Sequence, residues 1–206
     1  MKYVIALDVG GTGIKAALMG ADATLVHETL RPTDREQGPD AVVARILDLA
    51  AELRDQAEKE FGEPPAAAGI AVPGVVDTAT GTAVYAANLG WRDLPLRDLL
   101  SRRLDGIPVA LGHDVRTGGL AEGRLGAGQG ADRFLFVALG TGIAGAIGIE
   151  GRVEDGANGS AGEIGHIAVR RGPDAPTCGC GGRGCLETLA SASAVGRAWA
   201  AASGAP

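Results

Sequence analysis

All three cysteines of this 206-residue chain, Cys178, Cys180 and Cys185, fall in one glycine-rich stretch shortly after His166. Three thiolates and an imidazole close the tetrahedral shell of zinc, so the spacing predicts a structural Zn2+ site made of His166, Cys178, Cys180 and Cys185. A disulfide fits less well, because Cys178 and Cys180 are too close to bridge easily and a third thiol is left over. Two carboxylates flank the loop, Glu163 in Gly162-Glu163-Ile164-Gly165-His166 and Glu187 in Cys185-Leu186-Glu187. Carboxylates fixed by a metal are natural acceptors for the hydroxyls of a sugar. Taken alone, the same residues could equally be surface or capping groups. His166 can serve twice, with one ring nitrogen on the metal and the other donating to a substrate oxygen.

The tetrapeptide Gly-Thr-Gly-Ile occurs at 11–14 and again at 140–143, each time between two apolar runs. Both copies read as strand, glycine turn, strand, with glycine expected to supply positive φ and to bring backbone N–H groups close to an anion. The residues concerned are Gly10, Gly11, Thr12 and Gly13 in the first copy and Gly140, Thr141 and Gly142 in the second. Two such turns can grip one triphosphate. Asp8, at the end of the first strand, is placed to hold Mg2+ through water, or only to cap the turn. Lys15 either reaches phosphate or is an ordinary exposed strand residue. Asp114 is the candidate general base: phosphoryl transfer asks for one carboxylate that takes the proton of an attacking hydroxyl. It also opens a helix, where Asp commonly serves as N-cap.

Periodicity predicts the elements that must position these residues. Strands are expected at 3–7, 14–18, 24–30, 67–72 and 108–111. Helices are expected at 39–61, where Val42, Ile46, Leu49, Leu53 and Ala57 share a face, at 95–104, and from His113-Asp114 to about Leu125. Pro73-Gly74 stops the fourth strand, and the stretch beyond it, with Asn88-Leu89-Gly90-Trp91, reads as loop. After a linker at 126–130 the pattern restarts, with strands near 134–138, 143–149 and 165–169 and a helix near 187–201. The division is therefore 1–125 and 126–206. If the halves are repeats, the second lacks the counterpart of 67–125, on the order of 60 residues, and is predicted to be incomplete.

Composition narrows the class. With 46% hydrophobic and 21% charged residues the chain is globular. Only 3% aromatics and as many as 34 glycines mean a core of Ala, Val, Leu and Ile joined by tight turns. A net charge of −6 without a Lys or Arg block argues against a nucleic-acid surface. No apolar run approaches the ~20 residues that span a bilayer and no signal-like segment precedes the first strand, so no membrane association and a cytoplasmic location are predicted.

Taken together, these residues resemble the ROK family of bacterial sugar kinases and repressors, and the resemblance covers essentially the whole chain. It is carried by Asp8 to Lys15, Val137-Ala138-Leu139-Gly140-Thr141-Gly142, Gly162-Glu163-Ile164-Gly165-His166, and Cys178-Gly179-Cys180-Gly181-Gly182-Arg183-Gly184-Cys185-Leu186-Glu187. It implies an α/β fold, the duplicated actin-like (ribonuclease H-like) ATPase core, here with an incomplete second half. It also implies ATP-dependent phosphorylation of a glucose-type hexose at its 6-hydroxyl, glucose or N-acetylglucosamine, with Asp114 as base, Glu163, His166 and Glu187 holding the sugar, and zinc organising that wall. Asn88 and the Pro73-Gly74 turn match positions near the sugar in relatives. Where the family usually has Asn-Asp, this chain has His113-Asp114, and that Asn normally bonds the sugar. His113 is thus expected in its place, with a different sugar preference and pH profile. Relatives tend to form homodimers, and their C-terminal portion contributes adenine contacts. The alternatives within the family are a sugar-responsive regulator, whose DNA-binding segment would precede the first strand, and an inactive sugar-binding fragment.

Overall fold

Alternating burial of Tyr3, Ile5, Leu7 and Val9 makes the first segment a strand with one face on a core, β1 (Tyr3–Val9). In the computed structural model, which describes residues 2–20 and 22–204, the chain divides into two units, Met1–Asp114 and Val115–Pro206. The helix expected at the end of the first half therefore belongs, from its second residue, to the second unit.

In the first unit β1 pairs antiparallel with β2 (Gly13–Gly20), which pairs with β3 (Leu25–Pro32). Helix α1 (Pro39–Phe61) follows and buries Val42, Ile46, Leu49, Ala50, Leu53 and Ala57 on one stripe. Pro39 opens it at a position where a missing N–H costs nothing, and Gly62 closes it in the left-handed conformation, donating to the Glu58 carbonyl. The chain returns as β4 (Ala67–Val72), parallel to β1, and later as β8 (Val109–His113), parallel to β4. The sheet order is β3-β2-β1-β4-β8.

Between β4 and β8 the expected loop is a small antiparallel sheet of β5 (Val75–Asp77), β6 (Thr82–Ala86) and β7 (Trp91–Leu94), followed by α2 (Leu96–Arg103). Its buried Val76, Ala83, Ala86 and Trp91 join the cluster of Ile5, Leu7, Val9, Ile46, Leu96, Leu100 and Leu104. Each fully buried Leu or Ile there is worth about 1.5–3 kcal/mol relative to exposure.

The second unit takes up α3 (Asp114–Leu125), whose glycines let it lie close on the next hairpin: a methyl at Gly118 would meet the Phe136 ring at 3.1 Å. That hairpin is β9 (Arg133–Leu139) and β10 (Ile143–Ile149), extended by the two-residue β11 (Arg152–Val153) in the order β11-β10-β9. Two expectations change here. The strand placed at 165–169 is a 3-10 turn, Ile164–His166, and one bridge from Ala168 to Cys185. The helix placed at 187–201 is two, α4 (Leu186–Ala190) and α5 (Ala192–Ser203), broken by Ser191, whose buried side chain accepts from the Ala194 N–H and caps α5. Among the described residues no helix is long and apolar enough to cross a membrane.

Candidate functional site

In the first unit the carboxyl ends of three parallel strands lie side by side, with Asp8 opposite Ala71 and Val72 opposite His113. That edge of an open α/β sheet is where ligands bind, because the connecting turns splay away from it. It gathers Asp8, the turn from Gly10 to Gly13, Gly74, and His113-Asp114. Asn88 arrives from the β6–β7 turn. Trp91, buried beside it, donates its ring N–H to the Pro39 carbonyl at 3.3 Å and ties that turn to the start of α1. A methyl on Gly11 would lie 3.9 Å from Asn88 Cβ and 3.8 Å from Arg35 Nη1, so Asn88 stands over the glycine turn.

The glycine turns reach their shape differently from expectation. Neither Gly10, Gly11 and Gly13 nor Gly140 and Gly142 has positive φ. The first turn closes by Gly10 N–H donating to the Gly13 carbonyl at 2.8 Å, the second by Gly140 N–H donating to the Gly142 carbonyl at 3.0 Å. Close approach bears on some of these positions but not on Gly11 or Gly140, where a Cβ would meet nothing nearer than 3.8 Å. A Cβ on Gly10 would sit 3.2 Å from the Gly13 oxygen, and one on Gly142 would overlap the Glu187 carboxylate. Positive φ is needed instead at Gly74, at 96°, where a side chain would run into the Tyr85 carbonyl of β6. Gly74 thereby fixes how the chain leaves β4.

Asp8 pairs across the hairpin with Lys15, whose Nζ stands 4.0 Å from Asp8 Oδ2 with both side chains more than half exposed. A pair that open contributes little to stability. Burial lifts the Asp8 carboxyl above the ordinary aspartate value, Lys15 offsets part of the shift, and the nearby Asp114 charge raises it further. Two carboxylates facing one space with a single lysine beside them suit a dication. Asp114 opens α3 with His113 Nδ1 3.3 Å from its Oδ1, and His113 is buried. The His113 imidazole thus faces the candidate base.

In the second unit the four metal-ligand candidates come together. One ligand atom from each of His166, Cys178, Cys180 and Cys185 lies within 4.8 Å of the others. Cys178 Sγ is 3.5 Å from His166 Nδ1 and Cys180 Sγ is 3.8 Å from Cys185 Sγ. Zinc–sulfur bonds of about 2.3 Å in a tetrahedron require sulfur edges of about 3.8 Å, so the four donors fit a zinc-sized cation. Burial and the neighbouring thiols push Cys185 up to about 11, while the Gly182 N–H holds Cys180 below its ordinary value. A dication at the centre would reverse the cost of crowding thiolates. His166 Nδ1 faces the sulfurs and its Nε2 faces Glu163 Oε2 at 3.7 Å, so the two ring nitrogens serve different neighbours.

Glu187 sits two residues past Cys185 and accepts from the Ile143 N–H at 3.0 Å through Oε2. Glu163 projects from a turn pressed against β10, where Gly145 N–H donates to the Gly162 carbonyl at 2.7 Å and a Cβ on Gly165 would overlap the Ile143 carbonyl. Thr141 is exposed at the tip of the second turn.

Three residues that the motifs do not mark hold these parts. Thr33 is fully buried, its hydroxyl donates to the Gly10 carbonyl at 2.7 Å, and its N–H donates to the Thr12 carbonyl at 3.1 Å, so it braces the first turn from just past β3. Arg116 is buried, donates to the Gly159 carbonyl at 2.8 Å and pairs with Asp155 at 3.1 Å, holding the loop that leads to Glu163. Ser191 sets the break between α4 and α5. Of the three, Ser191 alone left a sequence signal, a cap residue before an Ala-rich run.

The profile of the ROK family matches residues 4–205. Glucokinase of Halalkalibacterium halodurans is 38% identical over 196 residues, which are 95% of this chain and 58% of that protein. The solved ROK family glucokinase from Streptomyces griseus in complex with glucose and AMPPNP is 34% identical, with a TM-score of 0.82 over 98% of this chain and 62% of that one. A ROK family transcriptional regulator, homologous to the MLC protein of E. coli, superposes with a TM-score of 0.85 at 26% identity, over 97% of this chain and 49% of that one. The chain thus spans roughly three-fifths of the length of the curated glucokinase.

Proposed function

The chain belongs to the ROK family, and from that membership we propose that it phosphorylates a glucose-type hexose, glucose or N-acetylglucosamine, at the 6-hydroxyl with ATP and Mg2+. The observation that carries the reading is that Asp8 and Asp114 both stand at the carboxyl edge of the first sheet, near enough for the Asp114 charge to raise Asp8, beside the braced glycine turn. The Asp114 carboxylate accepts the proton of the attacking hydroxyl as its oxygen bonds to the γ-phosphorus and the bond to the β-phosphate oxygen breaks. Asp8 would hold the magnesium ion, which spreads the charge of the phosphates. The N–H groups of Gly10 to Gly13 and of Gly140 to Gly142 offer donors to phosphate oxygens, with Lys15 adding charge.

In the second unit Glu163, His166 and Glu187 accept from and donate to the sugar hydroxyls, and Asn88, His113 and Gly74 serve the sugar in the first. His166, Cys178, Cys180 and Cys185 would hold a structural zinc ion that keeps His166 and Glu187 in place. Support for nucleotide and sugar comes from the Streptomyces griseus relative, solved with glucose and AMPPNP.

The likeness to a transcriptional regulator favours a second reading, sugar binding without turnover. ADP release from MgATP against glucose, N-acetylglucosamine, mannose and fructose separates the two. The kinase reading expects release with one or two of these sugars. Sugar binding without release from any of them would favour the regulator.

A further inference from the structure

Glu187 is held in a way that sugar recognition does not require. Its Oε2 accepts from the Ile143 N–H at 3.0 Å, directly after Gly142, while Oε1 makes no hydrogen bond among the described residues. Five residues on, the Ala192 N–H donates to the Gly140 carbonyl at 2.9 Å. The segment 187–192 therefore bonds the second glycine turn at both ends. A Cβ on Gly142 would overlap Glu187 Oε2, so a side chain there would push the carboxylate aside. The residues just before the segment are anchored too. Leu186 N–H donates to the Ile167 carbonyl at 2.9 Å, and Cys185, at the N-cap position of α4, belongs to the metal cluster, so the segment follows directly from that cluster.

We infer that Glu187 is a positioning residue for the second phosphate turn, and that its two oxygens couple hexose binding to nucleotide binding: Oε2 fixes the turn and Oε1 takes a sugar hydroxyl. A hydroxyl on Oε1 immobilises the side chain, which in turn immobilises the Ile143 N–H and the turn it closes. This rests on the kinase reading for the sugar contact, but the link to the turn rests on the hydrogen bonds alone.

Two neutral variants separate the functions of the oxygens. Glu187→Gln keeps one acceptor for the Ile143 N–H and loses the acceptor for the sugar. Glu187→Ala loses both, and because both variants remove the charge, electrostatic relief at the phosphates cancels in their comparison. The experiment is the dissociation constant of MgAMPPNP by calorimetry, with and without glucose, alongside amide hydrogen exchange at Ile143. Glu187→Gln is expected to lose the tightening of MgAMPPNP by glucose that the parent shows. Glu187→Ala is expected to bind MgAMPPNP about tenfold more weakly than Glu187→Gln and to exchange the Ile143 amide faster. Gly142→Ala, which displaces the carboxylate, should resemble Glu187→Ala.

Equal MgAMPPNP affinity and equal Ile143 exchange in the Gln and Ala variants would overturn the inference while leaving the kinase reading standing. A parent protein that binds MgAMPPNP but phosphorylates no hexose, with Ala weaker than Gln, would overturn the kinase reading and leave the positioning role intact. A parent that binds no MgAMPPNP would overturn both.

Discussion

Asp114 and Asp8 face the same space, and that proximity makes their charges testable one at a time. Asp114→Asn removes the proton acceptor, and turnover is expected to fall roughly 10²–10⁴-fold with a much smaller change in hexose affinity, read from steady-state kinetics and equilibrium binding. The same substitution removes a like charge that raises the Asp8 carboxyl. The acid limit of Mg-nucleotide binding is therefore expected to move to lower pH in Asp114→Asn, as followed by calorimetry at several pH values. For stability the sign is the opposite of a paired carboxylate. Because folding raises the Asp8 value, its contribution is favourable below the ordinary aspartate value of 3.8 and is lost as pH rises through the folded one. Without nucleotide, Asp8→Asn is expected to raise Tm at pH 7 and to leave it unchanged near pH 3. Thr33 makes a different contribution. Thr33→Val leaves the Gly10 carbonyl without its donor, at a cost of about 1–3 kcal/mol, and loosens a turn that binds phosphate, so KM for ATP should rise more than kcat falls.

Elements that bury one long face announced themselves in the sequence, and short ones did not. Helix α1 keeps its apolar stripe over its whole length, and the stripe read from the sequence is the one that is buried. Ile46→Ala, at a fully buried position of that stripe, is expected to cost about 2–5 kcal/mol in urea denaturation. The sheet of β5, β6 and β7 escaped notice because its strands are three to five residues long and carry Asp, Thr and Arg among the apolar positions. Their burial is decided by Trp91 and Leu89 reaching the main core, which no local pattern reveals. At 165–169 the run Gly-His-Ile-Ala-Val has strand propensity, yet Gly165 presses against the Ile143 carbonyl and His166 turns to the thiols, so tertiary contacts win. The glycine turns were legible as turns but not in their mechanism. Repetition of Gly-Thr-Gly-Ile located them, while the close neighbours, the Gly13 oxygen beside Gly10 and the Glu187 carboxylate beside Gly142, are brought near only by folding.

Each unit carries its own glycine hairpin, and the two differ in what surrounds it. In the first unit β1 is flanked by β2 and β4; in the second, among the described residues, β9 pairs with β10 alone, and Leu135 and Leu139 are exposed at 55% and 70%. The metal cluster is the other feature legible from the sequence alone, since four donors within one loop need no distant partner to be recognised. Its chemistry makes a separable prediction: a chelator that strips the metal should release Glu187 and His166 together and abolish hexose binding. Unchanged hexose affinity in a verified metal-free sample would disconnect the cluster from the sugar. The central claim is transfer of phosphate to a hexose by way of Asp114, and 31P NMR of a mixture of the protein, MgATP and glucose or N-acetylglucosamine tests it most directly. A hexose 6-phosphate resonance should grow with ADP and be absent on the same timescale with Asp114→Asn; no phosphorylated sugar from the parent, or equal product from the variant, would contradict it.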